Sequence, residues 1–324
     1  MLSVLQIGNT AGIANDIQRH LRATGNQCDI VIFYPDILKY GCDFDYTPCS
    51  PVRKIIPLYG IEKTSRLLKL VKKYDILHFN SYSGFALHID YPLWKRMGLK
   101  VVHHFHGTDL RSRRKPWPMI DRYADIQYVS TPDLLEYAPE AEWLPTPMDL
   151  DLFRYVGVKD KEDRSEPIRI VHAVLSQTHG KNCKGTPIII NAINQLKLKG
   201  YNIDFRLLAT VPYRQALEEY KQADIIIGQT HIGWYGKLEQ EAMAFGKPVV
   251  TYINQEFTKI TGQVPVVNFQ QDDISSLITG LTALIDDYSL QKRLSQEGRA
   301  YVERWHDERK IMGKIEQAYE TLLD

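Results

Sequence analysis

The sequence predicts an α/β protein built from two Rossmann-like domains with a cleft between them. Short apolar runs alternate with amphipathic stretches along all 324 residues, a pattern typical of parallel sheets whose strands are joined by helices. A polar, aperiodic stretch over residues 155–167 interrupts this pattern, which then starts again. A chain of this length is sufficient for two domains, each with its own core.

The individual elements follow from the same pattern. Predicted strands in the first half are residues 3–8, 27–34, 76–80, 100–106, 126–130 and 142–145, with helices at 12–25 and 62–74. Predicted strands in the second half are residues 168–175, 203–210, 223–230, 247–253 and 265–269, with helices at 187–199, 213–222 and across 274–323. The pattern indicates an N-terminal domain over 1–154, a linker over 155–167, a second domain over 168–300 and a C-terminal helix over 301–324.

Composition excludes several classes of protein. The apolar fraction is 44%, the charged fraction is 24% and the formal net charge is +1, so we expect a globular protein that binds no nucleic acid. The four cysteines, Cys28, Cys42, Cys49 and Cys183, form no Cys-x-x-Cys pair, which favours thiols in a reducing compartment over a zinc site. We find no leader-like N-terminus and no apolar run of about 20 residues, so we expect a cytoplasmic protein.

Residues 233–250, GWYGKLEQEAMAFGKPVV, join a turn, a short helix and a strand. Gly236 can open the helix, while Gly246 and Pro248 can end it. Free N–H groups at the start of such a helix suit a phosphate, and Glu241, a turn and a half further in, can accept hydrogen bonds from a ribose diol. An ordinary helix-to-strand crossover explains the pattern equally well.

Two further motifs lie at predicted strand ends in the first half. Gly8 and Gly12 flank the turn after the first strand, where either a ligand approaches the backbone or the chain simply turns tightly. His106 and Asp109, in HFHGTDL, follow the fourth strand and therefore face the expected cleft. The alternative is a structural histidine, with Asp109 capping the next helix.

Basic residues supply two more candidate sites. Arg111, Arg113 and Arg114, with the basic segment 66–74, can hold a phosphate or contact anionic lipid headgroups. Lys181 and Lys184 precede a Gly-Thr turn and can neutralise a diphosphate, although the order of a Walker-type loop is absent. Each of these groups is also explained as solvated surface.

The run EAMAFGKPVV resembles the signature of retaining, nucleotide-sugar-dependent glycosyltransferases of the GT-B fold, the family 4 type (glycosyl transferases group 1). In that family two glutamates separated by seven residues straddle this helix start. Glu241 matches the second, which holds the donor ribose, and Gly233 stands at the position of the first. The resemblance covers nearly the whole chain and implies an acceptor domain first, a nucleotide domain second, and a last helix that crosses back to the first domain.

The resemblance also implies roles for the candidate residues. His106 would lie near the reacting centre. Lys184 matches the family's basic pair, Lys181 stands in place of its more usual arginine, and the two would stabilise the leaving diphosphate. Arg111, Arg113 and Arg114 would contact the acceptor or a membrane. Trp234 and Tyr235, in place of the family's Gly-Phe, are either a stacking wall for a sugar or core. The implied donor-binding residues are Gly8, Gly12, Asp109, Thr210, His231, Gly233, Trp234, Tyr235, Gly236 and Glu241.

The activity implied is the transfer of a hexose, with retention, from a nucleoside diphosphate sugar, a UDP-sugar being favoured, to a glycan, lipid-linked or small-molecule acceptor. In the family's front-face mechanism the departing phosphate takes the acceptor proton, so no cofactor or metal is expected. Bacterial polysaccharide or cell-surface glycan synthesis is the implied setting, in the cytoplasm or peripheral to the inner face of the membrane. Gly233 motivates one alternative, a non-catalytic GT-B homologue that binds a glycan or partners an active transferase; a nucleotide-sugar epimerase is another.

Overall fold

The computed structural model describes residues 1–47, 64–82, 86–159, 166–174 and 184–324. The chain forms two compact units: unit 1 comprises Met1–Met148 together with Glu308–Asp324, and unit 2 comprises Asp149–Asp307. The first unit therefore ends six residues before the boundary predicted at 154. The segment that returns to it begins at Glu308, whereas the predicted C-terminal helix begins at 301.

Unit 1 is built on a parallel sheet that contains all the strands predicted for the first half. Its strands are β1 (Ser3–Ile7), β2 (Gln27–Ile32), β3 (Phe44–Asp45), β4 (Ile76–Asn80), β5 (Lys100–Phe105), β6 (Ile126–Val129) and β7 (Glu142–Trp143). The order β3-β2-β1-β4-β5-β6-β7 reverses beside β1, and in doubly wound sheets such a reversal creates a crevice at the carboxyl ends of the strands. The two-residue strand β3, which pairs with the end of β2, was not predicted.

The helices of unit 1 bury apolar stripes against this sheet. They are α1 (Ile13–Ala23), α2 (64–70), α3 (Tyr91–Arg96), α4 (Thr108–Arg111) and α5 (Pro118–Tyr123). The C-terminal helix, which we label α11 (Glu308–Leu323), belongs to the same unit and packs against α1. Ile17 and Leu21 of α1 share one buried cluster with Ile315 and Tyr319 of α11, so the end of the chain completes the core of its beginning.

Unit 2 repeats the plan on a smaller scale. Its strands are β8 (Ile168–Val174), β9 (Ile203–Ala209), β10 (Ile225–Ile227) and β11 (Val249–Val250), parallel and in the order β11-β10-β8-β9. Its helices are α6 (Thr186–Leu198), α7 (Tyr213–Gln222), α8 (Lys237–Ala244), α9 (Ile274–Asp286) and α10 (Tyr288–Trp305). No helix in the described parts of either unit is long and apolar enough to cross a membrane.

The predicted strand at 265–269 is wrong. Val267 forms only an isolated bridge with Val250, and Pro265 cannot donate to a ladder. The side chain of Asn268 instead bonds both the N–H and the C=O of Ile253, at 2.8 and 2.9 Å. A side chain fifteen residues away therefore satisfies backbone groups of Ile253 that a longer strand would have paired.

Candidate functional site

The carboxyl edge of the unit 1 sheet holds a chain of hydrogen-bonded side chains centred on His106. Its Nδ1 lies 2.6 Å from Ser130 Oγ, and its Nε2 lies 3.1 Å from Asn80 Oδ1. The Asn80 amide donates to Gln6 Oε1 at 2.9 Å, and Ser130 Oγ lies 3.0 Å from His104 Nε2. Strands β1, β4, β5 and β6 thus meet through side chains at one edge, because they are parallel neighbours.

The donor and acceptor of each hydrogen bond in this series follow from the groups at its two ends, Gln6 and His104. With its amide donating to Gln6, Asn80 offers only its oxygen to His106, so the Nε2 of His106 carries a hydrogen. In the neutral ring Nδ1 then accepts from the Ser130 hydroxyl. Burial holds the pKa of His104 well below its ordinary value, so that ring is neutral and donates through Nε2 to Ser130. His106 is therefore a firmly oriented group rather than a free base.

Asp109 stabilises the turn that follows β5. Its carboxylate accepts the backbone N–H of His106 at 3.2 Å and that of Gly107 at 2.7 Å. Burial raises the pKa of Asp109, although these N–H groups oppose the shift. This geometry matches the alternative of a structural role for Asp109, and its role toward a donor stays a prediction.

The three arginines after this turn differ in what they contact. Arg111 forms a two-pronged pair with the buried carboxylate of Asp133, at 2.7 and 3.0 Å, and also donates to Thr131 at 2.9 Å. Arg111 therefore anchors α4 within unit 1, and we assign it no ligand contact. Arg113 lies over the ring of Trp117, whereas Arg114 is exposed.

The glycines at the first strand end serve a tight turn. Gly8 has φ +85°, and a Cβ there would lie 2.9 Å from the carbonyl oxygen of Asn80 and 3.2 Å from the Tyr34 hydroxyl. Its close approach is to strand β4, which matches the tight-turn explanation. Gly12, with φ +74°, opens α1. Donor contacts through these two glycines remain a prediction.

In unit 2, Lys184 lies where β8 gives way to α6. Its ammonium donates to the carbonyl of Ala173 at 2.9 Å. The nearby ring of His172 is buried, and burial, with a smaller contribution from the charge of Lys184, lowers the pKa of His172 to about 4. Lys184 is thus a half-buried cation beside the carboxyl end of a central strand. Lys181 lies outside the described residues.

Gln229 organises the loop between β10 and α8. Its Oε1 accepts the backbone N–H groups of His231 (2.7 Å) and Ile232 (2.5 Å), and its Nε2 donates to the carbonyls of Trp234 and Tyr252. Beside it, Thr230 Oγ1 donates to Asp272, and His231 Nδ1 lies 3.4 Å from the same carboxylate. Gln229, which was not predicted as a site residue, therefore occupies the backbone N–H of His231, a residue predicted to bind the donor, and that of Ile232.

The next residues of this loop are fixed by backbone and core. Gly233 has φ +83°, and a Cβ there would lie 3.1 Å from that of Asn254. Trp234 and Tyr235 stack with centroids 4.6 Å apart and are 2% and 0% exposed. The Tyr235 hydroxyl lies 3.0 Å from His306 Nε2. Both rings belong to the core of unit 2, and the interpretation of Trp234 and Tyr235 as a stacking wall for a sugar is wrong.

Two buried carboxylates lie on α8. Glu239 accepts the N–H of Gly236 at 3.0 Å and so caps the helix, which occupies a group predicted to bind phosphate. Glu241, 2% exposed, accepts the hydroxyl of Tyr213 at 2.5 Å. Tyr213 begins α7 directly after the turn at Thr210, whose φ is +56°. Glu241, Tyr213 and Thr210 are thus brought to one edge of the unit 2 sheet.

The described residues contain no group of three histidine, cysteine, aspartate or glutamate side chains able to hold a metal ion. Two charged side chains predicted as site residues in unit 2, Lys184 and Glu241, lie at the carboxyl ends of its strands.

No family model matches the chain. The capsular polysaccharide biosynthesis glycosyltransferase CapM of Staphylococcus aureus is 23% identical over 171 residues, and this match spans 43% of the chain and 43% of CapM. Whole-length similarity is found to solved structures of a glycosyltransferase from Rickettsia africae (14% identity, TM-score 0.70, 100% and 99% of the two chains) and of HepE from Anabaena in complex with UDP-glucose (14%, 0.72, 99% and 100%). Sucrose-phosphate synthase from Thermosynechococcus elongatus matches at 15% identity and TM-score 0.70 over 100% and 99%. The chain has the GT-B fold, as predicted.

Proposed function

We propose that the protein is a glycosyltransferase that moves a sugar from a nucleoside diphosphate sugar to an acceptor. The observation that carries this proposal is the buried carboxylate of Glu241, which accepts a hydroxyl, that of Tyr213, at the carboxyl edge of the unit 2 sheet. A ribose hydroxyl can take the place of the phenol and make the same charge-assisted hydrogen bond. Ligands of open parallel sheets gather at this edge.

The relatives favour a uridine nucleotide and a polysaccharide product. HepE was solved with UDP and with UDP-glucose, and CapM is named for capsular polysaccharide biosynthesis. We therefore propose a UDP-hexose donor and an acceptor in polysaccharide or cell-surface glycan synthesis. We propose that the reaction takes place in the cytoplasm or at the inner face of the membrane.

The proposed step breaks the bond between the anomeric carbon and the diphosphate oxygen and forms one to the acceptor oxygen on the same face. Because the new bond forms on the face that the diphosphate leaves, the configuration is retained. The acceptor proton passes to the departing phosphate, so the step requires neither a side-chain nucleophile nor a metal. Lys184, and Lys181 by prediction, would stabilise the charge that develops on the diphosphate. His106, whose two ring nitrogens are hydrogen-bonded, would present a fixed surface to the reacting centre.

Calorimetric titration of UDP, GDP and ADP without added metal tests the donor site. We expect selective binding of UDP, weakened more than tenfold by Glu241→Ala, because a hydrogen bond to a charged group contributes about 1.5–3 kcal/mol. Glu218→Ala, which removes an exposed carboxylate of α7, is the control and should leave binding unchanged.

Lys184→Ala should chiefly lower turnover in a transfer assay with the nucleotide identified by titration, by more than tenfold, with a smaller effect on UDP affinity. Unchanged binding in Glu241→Ala together with unchanged turnover in Lys184→Ala would remove the basis of this site.

A second function is favoured by Gly233, which stands where the resembling family has a glutamate and whose conformation suits glycine. A non-catalytic homologue would bind nucleotide or glycan and neither transfer nor hydrolyse the donor. Incubation with the bound UDP-sugar, followed by NMR analysis of the products, separates transfer from binding alone and from epimerisation.

A further inference from the structure

A pocket of about 270 Å³ opens in unit 1 beside Asp109. Its floor includes the buried side chains of Phe105 and Ile120, and Arg113 and Lys115 also line it. The volume lies just below the roughly 300–1,000 Å³ of pockets that hold drug-sized ligands, which suits one sugar-sized ring.

Two buried histidines line this pocket, and each has a ring nitrogen without a partner in the described parts of the chain. His103 is 0% exposed; its Nδ1 lies 2.7 Å from the Tyr91 hydroxyl, and its Nε2 has no partner. His88 is 6% exposed and has φ +55°, and its Nδ1 also has no hydrogen-bond partner in the described residues. Burial lowers the pKa of His88 to about 4 and that of His103 well below its ordinary value, so both rings are neutral.

Unpartnered polar atoms are costly inside a protein, because they have lost their bonds to water. Arg113 adds a third such atom, since its Nη1 has no partner in the described chain although the guanidinium lies over Trp117. A ligand with several hydroxyl groups offers both donors and acceptors to these nitrogens. The pocket is therefore suited to a saccharide ring rather than to an apolar group.

The charge at the pocket is unbalanced toward positive. Arg113 and Lys115 supply two cations, and the carboxylate among the lining residues is that of Asp109. Three backbone N–H groups, those of His106, Gly107 and Leu110, donate to Asp109, and its single charge leaves the two cations in excess. Arg111 and Arg114 do not line the pocket, and Arg111 is paired with Asp133. An anionic group on the ligand would complete the site.

We propose that this pocket binds the acceptor and that the acceptor is an acidic saccharide, a hydroxylated ring whose phosphate or carboxylate contacts Arg113 and Lys115. This inference rests on the proposed glycosyltransferase function and names its acceptor class. His88 and His103 bind hydroxyl groups of the ring, while the two cations bind its charge.

The test is titration of the full-length protein with glucuronate, glucose 1-phosphate, glucose and inorganic phosphate, followed by NMR. We expect at least one of the two acidic sugars to bind tenfold or more tightly than both glucose and inorganic phosphate. The preferred acid then distinguishes a carboxylate from a phosphate. Glucose or inorganic phosphate binding as tightly as the preferred acidic sugar would overturn the proposal.

Matched variants locate the binding. Lys115→Gln and Arg113→Gln should each weaken binding of the preferred acid at least fivefold, while Arg114→Gln, the same charge change outside the pocket, should not. Lys115 is exposed, so its variant tests the pocket even where loss of the Arg113 contact with Trp117 affects folding. Wild-type affinity in both pocket variants would also overturn the proposal.

Titration with UDP distinguishes failure of the acceptor pocket from failure of the proposed glycosyltransferase function. Normal UDP binding in Lys115→Gln, with impaired acid binding, supports both. Absence of UDP binding in the wild type, with acid binding that depends on Lys115, removes the proposed function and leaves an acidic-saccharide pocket. UDP binding without any charge-dependent sugar binding removes the pocket and leaves the transferase.

Discussion

His106 in unit 1 and Glu241 in unit 2 were both predicted to line a ligand site, yet they are held in different ways. Ser130 and Asn80 bond the two ring nitrogens of His106, and they lie at the ends of the two strands that flank β5. Glu241 accepts a hydroxyl from Tyr213, the first residue of a helix. The first group is held from both sides, whereas under the proposed function a ligand hydroxyl takes the place of the Tyr213 hydroxyl at Glu241. Under that proposal, two sheets of the same kind provide a fixed edge at His106 and an exchangeable one at Glu241.

Acidification should produce the largest difference in stability between the two units. Unit 1 buries four neutral histidines: burial lowers the pKa of His78 to about 3 and of His88 to about 4, and that of His103 and His104 well below normal. Unit 2 buries His172, whose pKa is lowered by burial to about 4, and His306, whose Nε2 lies 3.0 Å from the Tyr235 hydroxyl. Because these values lie below the unfolded value of about 6.5, the associated stability is complete above that pH and is lost as pH falls toward 4.

A pKa shift from about 6.5 to about 4 corresponds to roughly 3 kcal/mol, and unit 1 holds more of the histidines whose pKa is lowered by burial, so unit 1 should open at the higher pH. Hydrogen exchange, corrected for its intrinsic pH dependence, can follow peptides from β4 and β5 against those from β8 and β10 between pH 7 and 4. Earlier loss of protection in unit 2 would show that its loops, rather than the histidines, decide acid stability.

Ser130→Ala tests the fixed edge. The variant removes the hydroxyl that lies between His104 and His106, and it leaves the buried Nε2 of His104 without this partner. The expected loss in the free energy of unfolding is about 2–3 kcal/mol, measured by urea denaturation. Ser112→Ala, at an exposed hydroxyl of the same unit, is the control and should change stability by less than about 0.5 kcal/mol. Equal losses in the two variants would mean that the hydrogen bonds around His106 do not contribute to the free energy of unfolding.

Gly233→Ala tests whether the backbone explains the missing glutamate. A side chain in the left-handed region costs about 1–2 kcal/mol, and a Cβ here would also lie 3.1 Å from that of Asn254. Gly200→Ala is the matched control, because Gly200 has φ +93° and open space around it. Gly233→Ala should therefore lower the melting temperature more than Gly200→Ala. The reverse order would indicate that the loop at 233 adapts freely.

Tyr213→Phe should have the smallest effect. The variant removes the hydroxyl that bonds Glu241 but keeps the ring that lies near the ammonium of Lys237. If a ribose hydroxyl takes that place, UDP affinity should change less than about threefold, in contrast to the loss expected for Glu241→Ala. A tenfold loss of affinity in calorimetry would instead show that Tyr213 itself contacts the nucleotide.

The fold was predictable because its signal is periodic and local. Alternating apolar runs locate every strand of more than two residues, and the glycine stop after α8 marks the start of β11. The strand expected at 265–269 fails because Asn268 bonds the backbone of Ile253, fifteen residues away, a contact that periodicity does not contain. The short β3 lacks enough residues to show a period.

The site was predictable only in outline. His106 and Glu241 follow from motifs, but their partners Asn80, Ser130 and Tyr213 come from separate strands and helices that only the fold brings together. Trp234 and Tyr235 remained ambiguous, because an aromatic pair in a loop has the same sequence whether it faces a ligand or the core. Resolving that ambiguity requires the hydroxyl contact of Tyr235 with His306, about seventy residues later.

The return of helix α11 to unit 1 has a consequence for the order in which the protein is made. The buried cluster that contains Ile17 and Leu21 of α1 also contains Ile311, Met312, Ile315 and Tyr319, which follow unit 2 in the chain. At about 5–20 residues per second, the ribosome needs roughly 10–30 s to synthesise the intervening residues. Throughout that interval the nascent first unit lacks four side chains of its core, while unit 2, contiguous in sequence, has all of its own residues by the end of it.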